Sequence, residues 1–209
     1  MQPYPIDPSC PHCNDQLFAL KHPLLITEQF RVVCDVHPLA EGHILIIPKQ
    51  HISCVGEFSP EMLEEFIKLY DSTSEFVKAT YGSVSSFEHG KIGQTVYHAH
   101  VHILPFDGKP EDIISEGSEH MTSIQSMKDV QSEYKTRGQY LFFSVGEGHG
   151  LVDTKLGCPR FFRDRFAKAQ GQESLGDWQS ASKDPSVQAE NLARITNLEN
   201  NWNRYNHFN

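Results

Sequence analysis

Hydrophobic and polar positions along this chain change period several times, and each change marks an element. Phe30, Val32 and Val33 open a run of β-formers that reaches Asp35, and His43–Pro48 is a continuous apolar run closed by a proline. With a turn from His37-Pro38 to Gly42 between them, they predict an antiparallel hairpin. Leu17–Leu20 and Leu24–Ile26 predict shorter strands ahead of it. Ser59-Pro60-Glu61 is a helix start, with serine as N-cap, proline in the first turn and an acid beside it. Met62, Leu63, Phe66, Ile67, Leu69, Tyr70, Phe76 and Val77 then recur at helical spacing to Tyr81-Gly82, a core-facing stripe. Val84–Glu88 predicts another strand, followed by a turn through Gly90 and Gly93.

The sharpest alternation comes next: His98, His100 and His102 at every second position, with Ala99, Val101, Ile103 and Leu104 between and after them. On a strand this puts the imidazoles on one face and the apolar residues in a core. Neighbouring histidines would lie roughly 7 Å apart and the outer pair roughly 13 Å, a row too long for one metal. After Pro105 the pattern predicts a short helix at Glu111–Ser115 and a helix over Ser123–Tyr134. A hairpin of Tyr140–Val145 with Leu151–Thr154, joined by residues 146–150, follows. Helices are predicted at Pro159–Ala169 and from Pro185 to about Trp202. The fold class is α+β: an antiparallel sheet of about five strands with a long helix over residues 1–106, and an α/β extension over 107–209 packed on it.

Composition changes this picture little. The chain has 209 residues, 38% of them hydrophobic and 22% charged, enough for a substantial core. A net charge of −9 argues against general binding to nucleic acid or anionic membranes. The opening MQPYPIDPSC has neither the basic start nor the apolar run of a signal peptide, and no segment is apolar for long enough to span a bilayer. The cysteine count of 5 is odd and the cysteines are scattered, unlike a disulfide framework, so the expected address is cytoplasmic.

Charge and spacing leave two groups of residues to carry chemistry. A neutral imidazole is a nucleophile, a proton shuttle or a metal ligand near neutral pH, which makes the histidine row the first. The second is Cys10-Pro11-His12-Cys13, which by itself fits half a zinc site, a thiol redox pair or neither. A thioredoxin-type reading needs a strand before the motif, and the proline-rich start supplies none. Cys34, Cys54 and Cys158 read as incidental, the Arg160, Arg163, Arg165, Lys168 run as a solvated face, and Trp178 and Trp202 as packing residues.

Residues 93–105, GQTVYHAHVHILP, resemble the signature of the histidine-triad (HIT) superfamily, and Gly42-His43 through Pro48-Lys49-Gln50-His51 resembles its second block. The resemblance covers roughly residues 10–106. It implies a nucleotide hydrolase or nucleotidyl transferase in which His100 attacks the α-phosphorus of a purine nucleotide, forming a nucleotidyl-histidine that water or another acceptor then takes. His43 and His102 would donate hydrogen bonds to the phosphoryl oxygens, and Gln94 and Thr95 would lie beside the leaving group. Asp35 would grip the ribose, although an aspartate at a strand end also caps turns. The resemblance further implies a structural zinc held by Cys10, Cys13, His51 and His98, no cofactor for catalysis, and a homodimer. Asp35 and Tyr97-His98 are similar to the phosphoramidate-cleaving branch and Leu104-Pro105 to the dinucleoside-polyphosphate branch. The rival readings are a nucleotide- or zinc-binding module with little turnover and a thiol oxidoreductase acting through Cys10 and Cys13.

Overall fold

The fold was taken from a computed structural model, which describes residues 6–146 and 148–208. The first five residues of the proline-rich start, and Glu147 of the predicted hairpin loop, lie outside these. Five strands precede Pro105: β1 (Pro23–Ile26), β2 (Phe30–Cys34), β3 (Ile44–Pro48), β4 (Ser85–Gly90) and β5 (Val101–Leu104). The helix α1 (Pro60–Tyr81) runs between β3 and β4. Its caps are those the residues dictate: Ser59 Oγ accepts from the Met62 N–H at 3.2 Å, and Gly82 ends the helix at φ 86°.

The second half adds α2 (Pro110–Ile113), β6 (Met121–Ser123), α3 (Met127–Arg137), β7 (Tyr140–Val145), β8 (Gly148–Val152), α4 (Phe161–Ala169), α5 (Trp178–Ala181) and α6 (Pro185–Phe208). All eight strands form one antiparallel sheet in the order β1-β2-β3-β5-β4-β7-β8-β6. The extension therefore continues the sheet. Strand β7 pairs with β4 along its whole length, from Ser85 opposite Val145 to Gly90 opposite Tyr140. Strand β4 has a partner on both sides, which leaves β1 and β6 as the sheet's edges.

Both sheet faces are covered, so β7 has no polar face. Tyr140 and Phe142 join the core under α1 and α6, with Phe66, Phe76, Ile46, Ile103 and Leu198. Leu141 and Phe143 join the opposite core under α4, with Phe87, Leu104, Phe162 and Phe166. The helix at 161–169 thus buries its phenylalanine stripe on the face that carries the histidine site.

Several expectations change. The sheet has eight strands where about five are expected, because the extension adds three to it. Ser123, the expected start of a helix, ends β6, and the helix begins only at Met127. Leu17–Leu20 is no strand; Phe18–Leu20 make a single 3-10 turn. The histidine row is only partly on a strand. β5 begins at Val101, where its ladder to β3 starts opposite Ile46, so His98 and His100 precede it in a looping segment. There the His98 N–H bonds to the Val96 carbonyl and the Ala99 N–H to the Ile52 carbonyl. The even pleat is lost, and the His100 and His102 rings lie 5.0 Å apart by centroid. Ala99, Val101 and Ile103 do enter the core.

Candidate functional site

His98, His100 and His102 end in two different places. His98 is fully buried, and its Nε2–H donates to the Pro48 carbonyl at 2.8 Å, which leaves the Nδ1 lone pair free. That Nδ1 lies 3.5 Å from Cys10 Sγ and 3.3 Å from Cys13 Sγ, while His51 Nδ1 lies 3.2 Å from Cys13 Sγ. The ligand atoms of all four residues fall within 4.8 Å of one another. Bond lengths of about 2.3 Å to sulfur and 2.0–2.1 Å to nitrogen in a tetrahedron give S···N edges of about 3.5 Å, so this donor set fits a zinc-sized ion. The Pro48 carbonyl fixes the tautomer that such a ligand needs. Burial pushes the Cys10 thiol up to about 11, the opposite of what a reactive CxxC nucleophile requires.

His100 faces the other place. Its Nδ1–H donates to the His98 carbonyl at 2.6 Å, leaving Nε2 with a lone pair. Behind it the hydrogen bonds form a directed chain. The Leu39 N–H donates to His43 Nδ1 at 3.1 Å, so the proton of His43 resides on Nε2, and this donates to His102 Nδ1 at 2.9 Å. His102 is thereby left with its own N–H on Nε2. It lines a small cavity of about 50 Å³ together with His100, Thr95, Asp35 and Arg163. Its ring stacks on Phe87 at 4.2 Å, which fixes its plane. Burial pushes His43 down to about 4 and lowers both His100 and His102, so all three rings are neutral at pH 7.

Asp35 is buried beneath this chain. Its Oδ1 accepts from the His37 N–H at 2.8 Å and its Oδ2 from Arg163 Nη1 at 2.9 Å. Burial resists its ionisation, but His43 and Arg163 hold the carboxyl well below the usual carboxylate range. Arg163 also donates to the His37 carbonyl at 2.6 Å and to the Leu175 carbonyl. Asp35, His43 and His102 are spaced for a metal too. There, however, the permanent guanidinium already occupies the carboxylate and the two rings bond each other.

The predicted residues divide accordingly. Asp35, Thr95, His100 and His102 line the cavity; His43 stands behind His102 and reaches the cavity only through it. Gln94 is turned elsewhere: its Nε2 donates to the Ser53 carbonyl at 2.7 Å and it is not among the lining residues. Cys10, Cys13, His51 and His98 come together as one group.

Sequence reasoning missed Arg163, read as one of a solvated run, and three aromatic wall residues. Trp178 stacks on His37 with centroids 5.1 Å apart, and Phe18 lies 5.8 Å from Trp178. A signal for Arg163 was present. The helical period that turns Phe162 and Phe166 inward puts Arg163 in the same half of α4, and Arg160 and Lys168 outside it. Gly93 ties the histidine loop to α4: it sits at φ 73°, its carbonyl accepts from the Arg160 N–H, and a Cβ there would lie 2.1 Å from the Cys158 carbonyl oxygen.

Comparison with known proteins places the first half of the chain. Residues 21–109 match the HIT domain model. The protein hit of Bacillus subtilis is 30% identical over 79 residues, 36% of this chain and 54% of that protein. Protein HitA of Neisseria gonorrhoeae is 34% identical over 85 residues, 38% of this chain and 79% of its own length. The adenosine 5′-monophosphoramidase of Saccharomyces cerevisiae is 31% identical over 108 residues, 49% of this chain and 66% of the yeast protein. The chain spans about half the length of the first of these relatives. Identity of 34% with HitA over 79% of that protein's length, together with the match of residues 21–109 to the HIT domain model, makes this chain a member of the HIT domain family.

Proposed function

We propose that the protein is a nucleotide hydrolase or nucleotidyl transferase acting at the α-phosphate of a purine nucleotide, with His100 as nucleophile. The observation that carries this is the His100 imidazole itself. Nδ1–H is anchored on a backbone carbonyl, so the lone pair of Nε2 is the free one, on a ring that lines the cavity and is neutral at pH 7. A relative named for adenosine 5′-monophosphoramidase activity supports the substrate class. In the first step Nε2 forms a bond to phosphorus, the P–N or P–O bond to the leaving group breaks, and the leaving group takes a proton from solvent while His100 keeps its Nδ1–H. In the second, water adds to phosphorus and gives up a proton to solvent. The P–Nε2 bond breaks with its electron pair returning to Nε2, and the nucleotide leaves with His100 neutral again. The charge gathering on the phosphoryl oxygens meets the Nε2–H of His102, which His43 holds in the donating tautomer. Phe18, His37 and Trp178 form the wall for the base, and Asp35 keeps unused acceptor capacity for a ribose hydroxyl.

Cys10, Cys13, His51 and His98 hold a structural zinc in this reading. When bound, it cross-links the N-terminal segment to the histidine loop and takes no part in bond making. A homodimer, if formed by strand pairing, has β1 or β6 to use, because β4 is paired on both sides.

The test is AMP release by wild type and His100→Ala from adenosine phosphoramidate, diadenosine polyphosphates and an adenylated amine. Zinc is measured in both proteins. Release by wild type alone, with one zinc per chain in each, is the expected result. Equal release by both would remove His100 as nucleophile, and no release from any substrate would leave a nucleotide-binding module.

A further inference from the structure

The CxxC segment contains a third group that the zinc site does not use. His12 stands between Cys10 and Cys13, is 4% exposed, and has an Nδ1 with no hydrogen-bond partner. An unpaired buried imidazole nitrogen costs about 1–3 kcal/mol, so a partner supplied by a ligand is the natural completion. The ring does not join the metal-binding group. It lies edge-on against His100 with centroids 4.7 Å apart, and against His98 at 5.6 Å. It lines the same cavity as Thr95, His100 and His102.

Building on the nucleotidyl-transfer reading, we propose that His12, in the tautomer that carries its proton on Nδ1, contacts the substrate and donates a hydrogen bond from that Nδ1–H to a non-bridging oxygen of the phosphoryl group that His100 attacks. His102 and His12 rings then flank the nucleophile, each within 5.0 Å of the His100 ring by centroid. Such a donor strengthens as negative charge collects on the equatorial oxygens and needs no change in its own protonation. The loop that binds zinc thus serves the chemistry as well: closing Cys10 and Cys13 onto His51 and His98 sets the place of the residue between them. His98 adds a second link, since its carbonyl holds His100 Nδ1.

The experiment compares wild type, His12→Phe and His12→Asn as full-length proteins. It measures AMP release from adenosine phosphoramidate, zinc content and AMP affinity by calorimetry. His12→Phe is expected to lower kcat/KM about 10²-fold, as loss of one oxyanion donor does, and to weaken AMP binding about tenfold. One zinc per chain should remain. His12→Asn, which can still donate, should recover part of both losses. The two diastereomers of the α-thio phosphoramidate supply a readout that a purely structural role would not move. Sulfur replaces one non-bridging oxygen in each, so His12→Phe should change the ratio of their rates, whereas a general disturbance lowers both alike.

Unchanged kcat/KM with an unchanged diastereomer ratio would overturn the proposal, and so would zinc lost together with activity in both variants. A wild type that releases no AMP sinks the nucleotidyl-transfer reading instead. AMP affinity then decides the contact: weaker binding by His12→Phe supports it, and equal binding, or none by wild type, overturns it.

Discussion

Asp35 and Arg163 stand 128 residues apart in the sequence and 2.9 Å apart in space, with side chains 6% and 8% exposed. A carboxylate so buried is tolerable only because the guanidinium faces it and the His37 N–H takes its other oxygen. Removing the cation alone leaves an uncompensated charge. Arg163→Met should therefore cost about 3–5 kcal/mol in urea unfolding, and adding Asp35→Asn should recover part of that loss. A single-variant cost under about 1 kcal/mol would mean that the pair is as weak as a surface one. The residues legible in the sequence share a local pattern: His98, His100 and His102 announce each other by alternation, and His43 and His51 bracket one apolar run. Arg163 and His12 are defined by partners far along the chain or by a cavity: the period of α4 turns Arg163 inward without showing what it meets, and His12 has no spacing that displays its role.

At the scale of elements the local physics was well expressed. Strong stop and start residues frame α1, and its N-cap hydroxyl accepts from Met62 as the Ser-Pro-Glu start implies. Ser59→Ala should lower stability by about 1 kcal/mol without altering the proposed nucleotide turnover. Thermal unfolding checks this, and a loss near 3 kcal/mol would show the serine to be more than a cap. The histidine segment was harder to read. Alternation predicts a strand from His98, but the ladder starts at Val101 opposite Ile46, although β3 runs on to Pro48. Proline has no N–H to give a partner, its carbonyl is taken by the His98 ring, and the Ala99 N–H turns to the Ile52 carbonyl. The hairpin of β7 and β8 was legible from its apolar runs. Its place beside β4 was not, since a buried strand with two apolar faces fits many neighbours equally well.

For the whole molecule, that placement decides how the two halves depend on each other. Strand β7 covers the backbone of β4, and α4 covers Phe87 and Leu104. A chain ending at residue 109 would retain every HIT motif residue yet expose an unpaired strand and the apolar face beneath α4. Such a chain should be mostly insoluble when expressed beside the full-length protein. A soluble, cooperatively unfolding fragment would show the first half to be self-sufficient.

The Asp35–Arg163 pair also orders events in time. During synthesis the last histidine of the triad emerges 61 residues before Arg163, about 3–12 s at 5–20 residues per second. Throughout that interval a nascent chain holds all three triad histidines but lacks the cation that neutralises the carboxylate beside His43 and His102. Pairings between residues so distant form late, after their loop-closure entropy has been met. Acquisition of the proposed nucleotide binding should consequently lag behind formation of the first five strands, and the chain spends its earliest seconds as a sheet without a finished site.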